Sequence, residues 1–522
     1  MKAATSAQMA AIDRETIAGG VPGLELMERA GRAMLLALVA DDRLGPCDRV
    51  AICCGKGNNG GDGLVLARLL HGWGRPVAVM LPPPGTELSP DAQANLERLP
   101  AEVRVERPAA ADRAAVWREL QGWADVAVDA LFGTGIRPPL RGDDAALIAA
   151  FDPLEAEIVS LDIPSGVCGD DGRVDPVAVS AHRTLTVGLP KLGLLLPPGR
   201  DHAGEVEVLD IGFPEDVVAR HAGGVEVLTP EEAAALRAPR PSDTHKYAAG
   251  TALVMAGSQR YGGAALLAGL GALRSGAGLT TLALPDVHAA AALAFLPEAL
   301  LAPLAVGAGG GLAPLADAAL DALLDGRKAW AVGPGLGDDP ATDVWVIRAL
   351  ARVETPVVVD ADALSAFARA GAAPRCAAAE AVLTPHGGEL ARLAGVTSAE
   401  LAARRLELVP ELARRWGVVL VAKGSPTLVA APDGGLTLIP VGHDALAVGG
   451  TGDVLTGLLC GLLAQGLPAH DAARLGCWLH GRAGELAAEA LGGRRGVLAR
   501  EVADLIPAAQ GGLDPAAPEE RS

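Results

Sequence analysis

Two glycine-rich stretches carry side chains suited to chemistry. Gly57-Asn-Asn-Gly-Gly-Asp-Gly63 sets two amides and a carboxylate among glycines, and Val448-Gly-Gly-Thr-Gly-Asp-Val-Leu-Thr-Gly457 sets Asp453 after Gly449, Gly450 and Gly452. Glycine lets successive N–H groups turn inward as a concave nest, and a following helix adds the positive end of its dipole. Such a loop holds an anion, above all a phosphate. A carboxylate beside a bound phosphate is repelled by it, so Asp453 reads as a base next to the group being transferred. A helix-capping Asp in a tight turn is the alternative that the spacing leaves open. In the first stretch the amide oxygens and the Asp62 carboxylate also suit a hard cation.

These side chains need a scaffold that brings them together. Residues 49–54 read as a strand that runs into the Asn59 loop, and 64–71 as the helix after it. Strand, glycine loop and helix form the phosphate-binding start of a doubly wound sheet. Strands are predicted at 76–81, 125–131, 157–162 and 183–189. Two of them close on polar clusters, Asp129-Ala-Leu-Phe-Gly-Thr-Gly135 and Asp162-Ile-Pro-Ser-Gly166. Ligands bind beyond the carboxyl ends of parallel strands, so these clusters and the Asn59 loop should share one crevice. Helices at 5–18 and 24–40 precede them, and Met27, Ala30, Met34 and Leu38 fall at core-facing helical spacing.

Pro214, Pro230, Pro239 and Pro241 mark a segment, 213–244, without a long periodic element, and the boundary is placed near residue 225. The alternation then restarts. A strand at 251–255 and a helix at 262–275 come first. Strands at 328–332, 356–360, 381–383 and 418–422 end in Gly333-Pro-Gly-Leu-Gly337, Asp360-Ala-Asp362, Thr384-Pro-His-Gly-Gly-Glu389 and Lys423-Gly-Ser-Pro-Thr427. A buried helix at 455–463 follows Asp453. His386, on such a loop, is expected to touch a ligand, while His443 and His480 read as structural.

The chain of 522 residues is too long for one ordinary core, and half of it is hydrophobic. A net charge of −19 without long basic runs argues against nucleic acid or an anionic membrane as the main partner. Only six of the 44 basic residues are lysines, and Lys56, Lys246 and Lys423 stand in unusual local sequence. Seven cysteines show no metal spacing, which fits a reduced cytoplasm. No signal peptide or membrane span is expected, and the tail from 511 to 522 is expected to be disordered. Assembly as a homo-oligomer is expected.

Gly57-Asn-Asn-Gly-Gly-Asp-Gly63, Asp129 to Gly135, Asp162-Ile-Pro-Ser165 and Leu26-Met-Glu-Arg-Ala-Gly31 resemble the NAD(P)H-hydrate epimerase domain, over roughly residues 1–215. The resemblance implies that Asn59, Asp129 and Ser165 hold potassium. It implies that Asn58, Asn59, Gly60, Gly61, Asp62, Gly133, Thr134, Gly135, Ile136, Arg137, Pro138, Pro139 and Asp162 contact the hydrated nicotinamide nucleotide. Asp162 is the candidate proton shuttle and Lys56 the second candidate, though a solvated loop-tip lysine is an equal reading of Lys56.

The second half, 225–510, resembles ADP/ATP-dependent NAD(P)H-hydrate dehydratase, a relative of ribokinase-like enzymes. His245-Lys246, 262–278, and the Gly333, Thr384 and Gly449 loops carry that resemblance. It implies that Lys423, Gly424, Ser425, Pro426, Thr427 and Gly452 bind ADP or ATP, with Mg2+. It further implies that Ala265, Gly335, His386 and Asp453 contact the hydrate, with Asp453 assisting its hydroxyl onto the terminal phosphoryl group. The small residues of 262–275 read equally well as tight helix packing. His443-Asp-Ala-Leu-Ala-Val448 stands where the family usually has an Asn-Pro-Gly-Met-Ala-Thr-like run, and Tyr247-Ala-Ala-Gly250 replaces an Asp-Phe-Gly-like ending. Both departures bear on nucleotide preference and rate. Two other readings stay open: a small-molecule kinase in the second half, and a non-catalytic binding module in the first.

Overall fold

The structure is a computed structural model that describes residues 1–40, 44–45, 47–136, 139–238 and 240–514. Contacts divide the chain into two compact units, Lys2–Gly223 and the chain from Gly224 onward with Met1.

In the first unit seven strands form one parallel sheet in the order β3-β2-β1-β4-β5-β6-β7. They are β1 Val50–Cys54, β2 Val77–Met80, β3 Arg104–Glu106, β4 Val126–Ala130, β5 Glu157–Leu161, β6 Arg183–Val187 and β7 Glu205–Leu209. The inner strands β1 and β4 are buried at every residue, as helices on both faces of a parallel sheet require. Strand order reverses between β1 and β4, which opens a crevice beyond their carboxyl ends. The helix after β1 runs Asn58–Gly72, so Asn58 to Asp62 lie in its opening turns and not on a loop before residue 64. Two glycines permit this tight joint: a Cβ on Gly55 would sit 1.8 Å from the Leu131 carbonyl oxygen, and one on Gly60 2.0 Å from that of Gly55.

The second unit holds ten strands in the order β11-β10-β9-β12-β13-β14-β15-β16-β17-β8. These are β8 Glu226–Val227, β9 Thr251–Met255, β10 Leu279–Pro285, β11 Leu300–Leu304, β12 Ala329–Val332, β13 Val357–Val359, β14 Ala381–Leu383, β15 Val419–Ala422, β16 Thr427–Ala430 and β17 Leu436–Ile439. The run β11 to β15 is parallel, and β16 and β17 extend it as an antiparallel hairpin. The helix Thr451–Ala464 starts earlier than the expected 455, which puts Gly452 and Asp453 in its first turn. It lies against the helix Gly262–Arg274 at backbone contact. A Cβ on Gly457 would meet the Ala268 carbonyl oxygen at 1.7 Å, one on Gly271 the Val454 carbonyl oxygen at 2.2 Å, and one on Gly461 the Ser275 Oγ at 1.9 Å.

The segment 213–244 has no long element, but it holds the short helix Glu215–His221, β8, and the short helix Pro230–Ala235, opened by a Thr229 capping box. Proline at the first helical position favours a start, since its missing N–H has no partner there anyway. The helix Ala499–Gly511 also reaches into the expected tail, of which residues 515–522 lie outside the described residues. No helix among the described residues is long and apolar enough to cross a membrane.

Candidate active sites

The crevice of the first unit is a cavity of about 690 Å³ beyond β1, β4 and β5. On its wall Asn59 donates its side-chain N–H to the Phe132 carbonyl at 2.9 Å, while its buried Oδ1 has no partner. Asp129, wholly buried at the end of β4, accepts from the Ser165 Oγ at 2.6 Å, the Ser165 N–H at 2.8 Å and the Ser160 Oγ at 2.9 Å. Burial raises the Asp129 pKa, and these hydrogen bonds oppose the rise. The Phe132 N–H donates to the Ser165 Oγ at 2.9 Å, which closes Asn59, Asp129 and Ser165 around one backbone segment. An orphaned amide oxygen beside a carbonyl, a hydroxyl and a carboxylate is an all-oxygen set that suits a hard cation.

Asp162 takes a positive φ of 66°, rare outside glycine, at the turn that follows β5. Its carboxylate accepts from the Lys191 ammonium, which also donates to the Val187 carbonyl at 2.9 Å and the Thr186 Oγ1 at 3.0 Å. Lys191 is only 1% exposed, so it is a fixed buried cation behind Asp162. Three more carboxyls line the cavity, Asp13, Asp62 and Asp91. Asp13, from the helix Ser6–Ala18, is exposed on the cavity wall, and desolvation by the surrounding wall first and the Asp162 charge second raise its pKa to about 6, against Lys191 and Arg14. Burial, then Asp162 and Asp13, push Asp62 well above the carboxylate range.

Sequence reasoning passed over Asp13 and Lys191. The one available signal was the scarcity of lysine, which made Lys191 as notable as Lys423. Lys56, Asn58 and residues 133–136 line the cavity as expected by position, with Lys56 exposed. Gly60, Gly61 and Pro139 do not line it. Gly60 and Gly61 serve packing instead, a Cβ on Gly61 meeting the Met27 Sδ at 2.7 Å. Arg137 and Pro138 lie outside the described residues.

In the second unit the ends of β13, β14 and β15 meet the first turn of the helix Thr451–Ala464. Asp360, 1% exposed, accepts from the Lys423 Nζ at 2.8 Å and the Thr456 Oγ1 at 2.6 Å. Asp453 is pushed up to about 7 by burial first and the Asp360 charge second, with Lys423 opposing and Asp362 adding to the rise. Gly452 lets Lys423 approach the helix, since a Cβ there would sit 3.3 Å from its Nζ. His386 is an exposed N-cap whose Nδ1 accepts from the Gly388 N–H at 3.1 Å. Glu389 returns the bond by accepting from the His386 N–H at 2.8 Å. Gly335, at φ +65°, presses on Ala264 and Tyr261, whereas the neighbouring Ala265 is buried in the core.

The Lys423–Thr427 loop is held from beneath by Arg405, which donates to the Ala422 carbonyl at 2.7 Å and the Pro426 carbonyl at 2.8 Å. Its Gly424 and Ser425 are exposed, Pro426 is buried, and the Thr427 Oγ1 donates to the Gly424 carbonyl at 3.1 Å. His480, buried and pushed down to about 4, is neutral and stands 2.9 Å from the Thr451 carbonyl. His443 caps a short turn. Asp360, Glu389, Thr456 and Arg405 are the side chains here that sequence reasoning left unassigned. Asp360-Ala-Asp362 at a strand end was the available sign. A carboxyl with a pKa near neutrality, a half-buried cation and a helix N-terminus together suit transfer of a phosphoryl group.

Comparison with known proteins gives the family. Residues 252–508 match the family model for NAD(P)H-hydrate dehydratase, and 23–193 match that for the YjeF-related protein N-terminus. The bifunctional NAD(P)H-hydrate repair enzyme of Moorella thermoacetica is 38% identical over 519 residues, covering 96% of this chain and 95% of the relative. This chain belongs to the bifunctional NAD(P)H-hydrate repair enzymes. The family member from Salinibacter ruber is 41% identical over 536 residues, again with 96% of this chain and 95% of the relative covered. Among solved structures, an ADP/ATP-dependent NAD(P)H-hydrate dehydratase from Bacillus subtilis is 34% identical, with a TM-score of 0.48 over 56% of this chain and 100% of that one.

Proposed function

We propose that this chain repairs hydrated NADH and NADPH. Residues 1–215 interconvert the R and S hydrates, and residues 225–510 dehydrate the S hydrate with ADP or ATP and Mg2+. The observation that carries the reading is Asp453: a carboxyl held near neutrality, one residue after Gly452 and beside the Lys423–Asp360 pair, at the start of a helix. Its carboxylate takes the proton of the hydrate hydroxyl as that oxygen attacks the terminal phosphoryl group, and the P–O bond to the rest of the nucleotide breaks so that the shortened nucleotide leaves. Lys423 and the first-turn amides stabilise the charge on the transferred oxygens. Phosphate is a far better leaving group than hydroxide, and its elimination restores the dihydropyridine. Lys423, Gly424, Ser425, Pro426, Thr427 and Gly452 are proposed to hold the nucleotide, and Gly335, His386 and Asp453 the hydrate.

In the first unit Asn59, Asp129 and Ser165 would hold potassium, a reading supported by the unpartnered Asn59 Oδ1. Bound there, the ion supplies a fixed positive charge for an anionic part of the substrate. Asp162 is the proton shuttle, oriented by Lys191. All seven cysteines are free, which supports action in a reducing cytoplasm. The test follows NADH absorbance from separately purified R and S hydrates, with ADP and with ATP, for the parent, Asp453→Asn and Asp162→Asn. Immediate recovery from the S hydrate, enzyme-dependent recovery from the R hydrate, and loss of one step in each variant are expected. Nucleotide consumption without return of NADH would instead identify a kinase acting on another substrate.

A further inference from the structure

Epimerisation at the hydrated ring carbon next to the nicotinamide nitrogen exchanges the two faces of that carbon. A hydroxyl must leave from one face and an oxygen must arrive on the other, and each event moves a proton. One rigid carboxylate serves one face only. Asp162 is rigid: its backbone sits at φ +66° with its N–H bound to the Leu185 carbonyl at 2.8 Å, and its carboxylate is fastened to the buried Lys191. Lys56 is exposed. The carboxyls that line the same cavity from other elements are Asp13, on the helix Ser6–Ala18, Asp62, on the helix Asn58–Gly72, and Asp91, on the helix Pro90–Glu97; of these Asp13 and Asp62 feel the Asp162 charge.

On the proposed epimerase reading, we infer that Asp13 is the second acid–base residue, paired with Asp162 across the substrate ring. Asp13 suits the task better than Asp62 because its side chain is exposed on the cavity wall, where substrate and water reach it, whereas Asp62 is half-buried. Its carboxyl, facing Asp62, Asp162, Lys191 and Arg14, is held at about 6 and exchanges its proton near neutrality. Burial pushes Asp62 well above the carboxylate range. In one direction protonated Asp13 gives its proton to the departing hydroxyl, and the C–O electron pair leaves with water. The ring nitrogen lone pair forms the C=N bond of an iminium ion. Water then adds to the opposite face and yields a proton to the Asp162 carboxylate, regenerating a neutral hydrate. Asp13 ends ionised and Asp162 protonated, so the next turnover runs from the other epimer or after proton exchange with solvent. The pair carries one proton in both directions.

The experiment incubates the full chain with each purified hydrate in H2(18)O without nucleotide, and scores inversion and 18O incorporation against the uncatalysed rates. The parent is expected to invert both epimers with label entering at each inversion. Asp13→Asn is expected to lose inversion about 100-fold or more while exchanging label with retention into one epimer, whose hydroxyl faces Asp162. Asp13→Glu, which keeps an acid, is expected to retain measurable inversion. The inference is overturned if Asp13→Asn inverts within threefold of the parent, if it exchanges neither epimer, or if Asp13→Glu is as inactive as Asp13→Asn. It is also overturned if the parent inverts without label. A parent that inverts neither epimer overturns the epimerase reading itself, a result distinct from these.

Discussion

Asp453 gives the sharpest test of the second site. With a pKa of about 7 it is about one-tenth ionised at pH 6 and about nine-tenths at pH 8, so a rate that needs its carboxylate rises about tenfold between them. The sign is fixed by the base role: activity is present above the midpoint and lost as the pH falls through it. After burial, the largest cause of the raised value is the Asp360 charge. A like charge nearby disfavours the ionised carboxyl, each pH unit of midpoint corresponding to about 1.4 kcal/mol. Asp360→Asn removes that charge and releases Lys423 toward Asp453, so the midpoint should drop below pH 6 and the profile between pH 6 and 8 should flatten, whatever the absolute rate. Single-turnover recovery of NADH absorbance from the S hydrate at saturating nucleotide isolates this step. Asp453→Asn should lose about 100-fold or more across the range and show no midpoint. A flat parent profile from pH 5.5 to 8.5, or an Asp360→Asn midpoint unmoved from the parent's, would refute the electrostatic argument.

Other outcomes follow from contacts in the first unit. Lys191→Met leaves Asp162 partly buried without its cation and should destabilise the unit by about 3–5 kcal/mol in urea unfolding; a loss under 1 kcal/mol would contradict the pairing. Gly55→Ala drives a methyl into the Leu131 carbonyl and should cost about 3 kcal/mol in the same measurement. Replacing sodium with potassium should speed inversion of the hydrates and raise the melting temperature of the parent. Asn59→Leu, which deletes the unpartnered oxygen, should respond to neither. A potassium response that survives in Asn59→Leu would remove Asn59 from the cation site.

Much of the scaffold is legible in the sequence because inner parallel strands are short unbroken apolar runs, such as Val50–Cys54, that end in glycine and polar residues. The edge strand Arg104–Glu106 is exposed, so it lacks that signature. The clusters at Asn59, Asp129 and Ser165 stand out for the same local reason, and the structure brings them together. Asp13 and Lys191 do not stand out. Lys191 acquires its meaning from a partner 29 positions away, and Asp13 from a cavity wall that only tertiary packing assembles. Likewise Asp360 meets Lys423 across 63 positions. Glycine is the ambiguous letter in the other direction. Gly60 and Gly61 look like a ligand cradle in sequence, and the distances around them are those of a helix pressed against its neighbours.

The glycine seam between the helices Gly262–Arg274 and Thr451–Ala464 has a consequence for turnover. Backbone meets backbone there at Gly457 and Gly271, with Ser275 filling the space at Gly461, so no side-chain layer is left to shear. The helix that carries Asp453 in its first turn is therefore fastened to the body of its unit and cannot swing outward to let a spent nucleotide escape. For a nucleotide held as proposed, egress falls to the outer rim, where Gly424, Ser425 and His386 are exposed. Stiffening that rim, rather than the seam, should be what slows release.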